Sequence, residues 1–283
     1  MKLNKQNYYN ADANWQYWST SQFKDFEQCE AAALAKLKGV WKPPKSTTGA
    51  DPLVLGNLVH SKFESDEAYH EFLESTYEAK TTKDKVVKIK DEICKYGNPE
   101  KGIKKDYQKA DKMIKALADD PLFKATYVGD REVPVTGEID GIPWKGKIDC
   151  LNLDEGYFCD LKTVDDIHKG HWNNQIKARV NFIVDRQYIM QMAVYRELLR
   201  QTYGINLQAF IFAVSKQETP DKLAVKFSDW RYEEALEPVH RLIHRFDAVK
   251  NGLEKPDRCE QCDYCRRTKQ LNHFVEVGDI DLS

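Results

Sequence analysis

The sequence lacks any uninterrupted apolar run long enough to span a bilayer, which argues against a helical membrane protein. Its first residues, Met1-Lys2-Leu3-Asn4-Lys5-Gln6-Asn7-Tyr8, hold no apolar core of the kind a secretory signal needs. Charge of one sign is lacking too: Lys and Arg number 43 and Asp and Glu 45, for a formal net charge of −2. No global attraction to nucleic acid follows, although a local basic groove would not register in that total. An even set of cysteines is also missing. There are 7, three of them crowded near the C-terminus, so a disulfide scaffold fits poorly and the reducing cytoplasm is the expected setting.

What is present describes an ordinary globular chain of 283 residues, 41% hydrophobic and 31% charged, with room for one large domain or two modest ones. We expect a single domain over 1–283: an aromatic N-terminal arm (1–18), a helical part (19–121), a core (122–252) and a cysteine-bearing tail (253–283).

The informative stretch runs from Gly146 to Thr163. Two alternating runs flank Asp154-Glu155-Gly156, a tripeptide suited to a type I turn with Gly in the left-handed position. Pairing Leu153 with Gly156 and counting outward sets Asp149 opposite Asp160. Alternation then puts Lys162 on the same face as Asp160, with Leu161 on the other. Charged residues in a hairpin commonly form a solvated face. Here the apolar neighbours Ile148, Cys150, Phe158, Cys159 and Leu161 argue for a pair covered on at least one side. Opposed carboxylates under cover repel each other and need a cation, and oxygen ligands suit magnesium or manganese.

Around this hairpin, Ser19 or Ser21 is expected to cap a helix through Cys29 to about Lys38, stopped by Gly39. Trp41-Lys42-Pro43-Pro44 and the Ser/Thr/Gly cluster after it read as a loop. A second helix from Pro52 carries His60, with Gly56 one turn earlier leaving space beside the imidazole. A histidine on so apolar a helix is either a satisfied core residue or a ligand. The lysine-dense region Thr76–Lys105, with Lys83, Lys85, Lys88 and Lys90, reads as short helical pieces and loops with a solvated surface. An amphipathic helix is expected over 106–118, strands over Thr126–Glu138, Ile142–Leu153 and Tyr157–Thr163, and turns at Gly137–Gly141 and in the hairpin. Glu132 falls on the first strand, where it could meet the same site. After a polar loop to Asn174, Asp185 opens a helix to Tyr203 that gathers Tyr188, Gln191 and Tyr195 on one face. Strands over Leu207–Val214 and Leu223–Phe227 and a helix over Trp230–Asn251 complete a mixed α/β (α+β) pattern.

The second signal is Cys259-Glu260-Gln261-Cys262-Asp263-Tyr264-Cys265, three thiols spaced to reach one small centre, with Cys29 as the expected fourth ligand. The spacing matches that used for a [4Fe–4S] cluster, and tetrahedral zinc suits four thiolates equally. Cys94, Cys150 and Cys159 are read as structural.

Gly56-x3-His60, Glu132, Gly146-Lys147-Ile148-Asp149, Asp160-Leu161-Lys162-Thr163 and Gln191-x3-Tyr195, in that order, resemble the PD-(D/E)XK nuclease superfamily. Within it they are similar to the RecB-like and RecE-like (exodeoxyribonuclease VIII) branch, which includes phage exonucleases used with a strand-annealing protein. The resemblance covers roughly residues 19–270. It implies a restriction-endonuclease-like core with a central mixed sheet flanked by helices. It also implies Asp149 and Asp160 as metal ligands, with His60 and the Leu161 carbonyl near the ion. Lys162 would orient or activate the attacking water, Glu132 would be an auxiliary acid, and Gln191 and Tyr195 would support the site or the DNA strand. An early cysteine paired with a late cluster resembles the AddB and CRISPR-adaptation nucleases, whose last two cysteines usually stand further apart. That departure leaves zinc, iron–sulfur and a cluster without metal all open.

The expected function is therefore metal-dependent exonuclease action on linear duplex DNA ends in the cytoplasm of a bacterium or phage-infected host. The resemblance alone supplies 5′-to-3′ resection, a ring-like homo-oligomer and a RecT-like strand-annealing partner. Three other readings are a single-strand or flap nuclease, a non-catalytic DNA-binding module and a zinc-dependent interaction protein.

Overall fold

A computed structural model describes residues 2–44, 50–78, 86–173, 176–271 and 274–279. Lys83, Lys85, Asn174 and the Ser/Thr/Gly cluster at 45–49 lie outside these residues. In chain order the elements are α1 (Ala11–Gln16), α2 (Thr20–Gln28), α3 (Glu30–Leu37), α4 (Pro52–Glu64), α5 (Asp66–Glu74), β1 (Thr76–Glu78), β2 (Val86–Lys88) and α6 (Ile89–Ile93). There follow α7 (Gln108–Ala118), α8 (Pro121–Thr126), β3 (Asp130–Ile139), β4 (Ile142–Asn152), β5 (Tyr157–Val164), β6 (His171–Asn173), β7 (Ala178–Val180) and α9 (Phe182–Asp185). The chain then runs through α10 (Tyr188–Tyr203), β8 (Gln208–Ser215), β9 (Lys222–Lys226), α11 (Asp229–Lys250) and α12 (Asp263–Thr268). Among the described residues, no helix is long and apolar enough to cross a membrane.

The chain divides into two compact units, one of residues 1–20 and 45–241, the other of 21–44 and 242–283. The larger unit is built on a mixed sheet of order β3-β4-β5-β8-β9, antiparallel except for the parallel pair β5–β8. That pair needs a crossover, and α10 lies within the connection. The α10 helix packs on β3 and β4, while α4 packs on β5 and α7 on β8. Leu58, Val59, Met113, Leu117, Phe123 and Tyr127 pack with Cys150, Cys159, Leu161, Phe212 and Val214 in one buried core. Cys94 belongs to that core as well, so all three cysteines outside the C-terminal cluster and its partner Cys29 are buried apolar filler.

The N-terminal arm is tied to this sheet. Trp18 N donates to the Pro143 carbonyl at 2.8 Å, and Lys145 N donates to the Trp18 carbonyl at 2.7 Å. The Lys145 side chain, 2% exposed, donates from Nζ to the Tyr8 carbonyl at 2.6 Å and to Asn14 Oδ1 at 2.7 Å. These acceptors are neutral, and burial pushes the amine down to about 8.

The smaller unit packs Phe23 and Phe26 against Phe246. Glu30 accepts from Arg245 Nε at 3.1 Å, from Arg245 Nη2 at 2.9 Å and from Asp257 N at 2.7 Å.

Several expected boundaries differ, each for a local reason. The helix expected to run from Ser19 or Ser21 to Lys38 is two helices. Cys29 is extended (φ −169°, ψ 108°), and Ala31 N finds the Asp257 carbonyl at 3.0 Å instead of a helical partner. The strand expected from Thr126 starts at Asp130, and Thr126 ends α8, which Pro121 starts and Asp120 caps through Phe123 N at 3.0 Å. Asp185 closes the short α9, and α10 starts after Gln187, which adopts left-handed geometry. Gly137 lies inside β3, leaving the turn to Asp140 and Gly141. The short pairs β1–β2 and β6–β7 also escaped the pattern, since strands of three residues carry almost no periodicity.

Candidate active site

The hairpin register is the expected one. Cys150 pairs with Cys159, Leu151 with Phe158 and Asn152 with Tyr157, and Gly156 takes φ 75°. Continued one rank beyond these pairs, that register leads to Asp149 on β4 and Asp160 on β5. The β4–β5 ladder stops at that point, and Leu161 N instead donates to Asp149 Oδ2 at 2.8 Å. On the other side of β4, Arg131 pairs with Cys150 and Val133 with Ile148, which sets Glu132 opposite Asp149. Glu132 has φ 52°, an uncommon conformation for a residue with a side chain, at the place where the ladder is interrupted. Three neighbouring strands thus each bring one carboxylate to a single rank.

His60, Glu132 and Asp149 each offer a ligand atom within 4.8 Å of the others, and His60 Nδ1 is 3.4 Å from Asp149 Oδ2. Glu132 therefore belongs among the potential ion ligands, a place broader than the auxiliary-acid role implied by resemblance. Asp160 lies outside that trio and next to Lys162, whose Nζ is 2.7 Å from Asp160 Oδ2. Gln191 Nε2 donates to Asp160 Oδ1 at 3.2 Å and to Tyr195 Oη at 3.1 Å. The Lys162 ammonium also sits 4.7 Å from the centre of the Tyr188 ring. Tyr188, Gln191 and Tyr195 thus share the face of α10 that meets Asp160 and Lys162. Leu161 contributes its backbone N–H here and its side chain to the core.

Electrostatics follow from the crowding. Burial first, and then the charge of Asp160, push Asp149 up to about 7, with Lys162 and the Leu161 N–H holding it back. Burial and Asp149 likewise raise Glu132, against the pull of Lys147. Burial lowers His60, with the charge of Glu132 opposing. Burial disfavours the Lys162 ammonium, but Asp160 and then Tyr188 overcome it and lift Lys162 above its ordinary value.

Two glycines give the site its spacing. A Cβ on Gly146 would meet Tyr195 Cδ1 at 2.8 Å and Cε1 at 2.9 Å, so only glycine lets α10 lie this close to β4. A Cβ on Gly56 would meet Thr163 Oγ1 at 3.3 Å, so Gly56 serves contact with β5 and does not open space for His60.

Sequence reasoning missed Lys147, whose Nζ pairs with Glu132 and lies 4.8 Å from the Tyr9 ring centre. Its signal was parity: Lys147 is two residues from Asp149 and so shares its face.

The donor set fits a hard divalent ion. Oxygen donors dominate, and the three carboxylates of Glu132, Asp149 and Asp160 face only the two ammonium groups of Lys147 and Lys162. Asp160 Oδ2, fully buried, has Lys162 beside it but accepts no well-aligned hydrogen bond.

This fold and site define a nuclease of the PD-(D/E)XK type. The chain belongs to the family described as PDDEXK-like domain of unknown function (DUF3799), whose model matches residues 19–268. It is also similar to the crystal structure of a protein from Eubacterium rectale named "Putative exonuclease", at 31% identity and TM-score 0.81, over 100% of this chain and 99% of that one. No match was found among curated proteins.

Proposed function

We propose that this protein is a divalent-metal-dependent DNA exonuclease that shortens linear duplex DNA from its ends, in the 5′-to-3′ direction, for recombination. The observation that carries the reading is the rank Glu132–Asp149–Asp160 with Lys162 beside Asp160 and His60 beside Asp149. Action at the ends of a nucleic-acid strand is supported by the name "Putative exonuclease" of the similar Eubacterium rectale protein. The polarity, a homo-oligomeric ring, a strand-annealing partner and a cytoplasmic setting in a bacterium or phage-infected host rest on the RecE-like resemblance.

Magnesium or manganese, held by His60, Glu132, Asp149 and Asp160, would supply charge to a phosphodiester oxygen and acidify water. The remaining work falls to the chain's own groups. Hydrolysis adds water to phosphorus and expels a sugar oxygen, and negative charge builds on the non-bridging oxygens. Lys162, lifted above its ordinary value by Asp160 and Tyr188, serves as a cation toward that charge and as a donor that orients the water. Asp160 and the Tyr188 ring hold the ammonium in place. Gln191, anchored on Tyr195, fixes the orientation of Asp160. In the cysteine-bearing unit, a zinc ion or an iron–sulfur cluster would have a structural role.

The test is digestion of a linear duplex labelled at either 5′ end, with magnesium, with EDTA, and with the Asp160→Ala variant, using protein purified without air. Magnesium-dependent loss of nucleotides from 5′ ends, absent in the variant, is expected. Digestion only of single strands or flaps would replace the duplex substrate. No digestion of any DNA by folded, metal-replete protein would leave a non-catalytic DNA-binding module.

A further inference from the structure

In the smaller unit, the break between α2 and α3 sets Cys29 beside the late cysteines. Four sulfur atoms, those of Cys29, Cys259, Cys262 and Cys265, lie within 4.8 Å of one another. Cys29 Sγ is 3.5 Å and Cys259 Sγ 4.0 Å from Cys265 Sγ, and all four thiols are free of disulfides. Four thiolates around one zinc at about 2.3 Å define a tetrahedron with edges of about 3.8 Å. The two separations, 3.5 Å and 4.0 Å, fall on either side of that value. A [4Fe–4S] cluster instead spreads its thiolates over four irons with a sulfide core between them, so its ligands do not reach sulfur–sulfur contact.

We propose that these cysteines hold a single tetrahedral zinc ion and not an iron–sulfur cluster. The surrounding backbone supports thiolates at this centre. Cys262 N donates to Cys259 Sγ at 3.3 Å, and Cys265 N donates to Cys262 Sγ at 3.5 Å. Four thiolates and one dication leave two net negative charges, and Arg258 stands beside the centre with Nη2 donating to the Cys265 carbonyl at 2.8 Å. Few apolar residues surround the sulfurs apart from Ala31, Ala32, Trp41 and Tyr264, so the ion would add a link between Cys29 and the 259–265 segment to the bonds that Glu30 and Ala31 make with Asp257. The proposal is independent of the nuclease reading.

The experiment measures zinc, iron and acid-labile sulfide in the full-length protein purified anaerobically without chelator. One zinc per chain and no sulfide are expected, with tetrahedral thiolate bands when cobalt replaces zinc. Zinc should persist in His60→Ala, which alters the other cluster of ligands, and be lost in Cys262→Ser together with a lower unfolding midpoint. If Cys262→Ser does not fold, the cobalt spectrum of the unaltered protein decides. Stoichiometric iron with sulfide, a folded chain holding no metal, or zinc that is lost with His60 would each overturn the proposal.

Discussion

Replacing Lys145 with Met tests how the N-terminal arm is held, and the outcome depends on pH. The ammonium is buried with two neutral acceptors, the Tyr8 carbonyl and Asn14 Oδ1, and burial brings it from 10.5 down to about 8. At about 1.4 kcal/mol per unit, the buried charge costs the fold about 3 kcal/mol while both states are protonated, below pH 8. Between about 8 and 10.5 the unfolded chain binds more protons than the folded one, so stability rises with pH, and above that window the penalty is gone. Lys145→Met abolishes this titration. It also leaves two acceptors unpaired, at about 1–3 kcal/mol each. Near pH 7 these two effects roughly cancel, so the variant is expected to resemble the original protein. By about pH 10 the original protein should lead by about 3 kcal/mol. Urea unfolding of both proteins at stepped pH reads the difference, and all other titrating groups drop out of the comparison. A difference that stays flat from pH 7 to 10.5 would refute the claim that this amine is desolvated.

Gly146→Ala should lose about 1–2 kcal/mol, since overpacking against the Tyr195 ring at 2.8 Å exceeds the usual gain from removing a strand glycine. The loss should shrink in a Tyr195→Leu background, and an additive double mutant in urea unfolding would refute the contact. Lys162→Met should slow magnesium-dependent DNA digestion by about 10²–10³-fold, the usual effect of removing one donor to developing charge. A variant digesting DNA at the original rate would remove Lys162 from the chemistry.

Much of the site was legible because it sits on one hairpin. The Asp154-Glu155-Gly156 turn sets the register, and a period of two then decides which residues share a face with Asp160. Helical spacing did the same for Tyr188, Gln191 and Tyr195. The break at Cys29 was not legible, because residues 20–37 have unbroken helical character and the interruption answers to an acceptor at Asp257, far along the chain. Glu132 was legible only as a carboxylate that could meet the site, because its place opposite Asp149 and near His60 comes from the pairing of β3 with β4 and the packing of α4. The clearance that Gly146 gives Tyr195 was hidden for the same reason, since it joins β4 to a helix 49 positions later.

The amino-acid order by itself determined the hairpin register, the helical faces and the clustering of the late cysteines, because turn chemistry and periodicity act over a few neighbouring residues. Only the tertiary structure decided that Glu132 on β3 joins Asp149 and Asp160, that His60 from α4 closes on Asp149, and that four sulfurs meet at the spacing of a single ion. Those distances depend on how separate elements pack, and packing is settled by contacts between residues far apart in the chain.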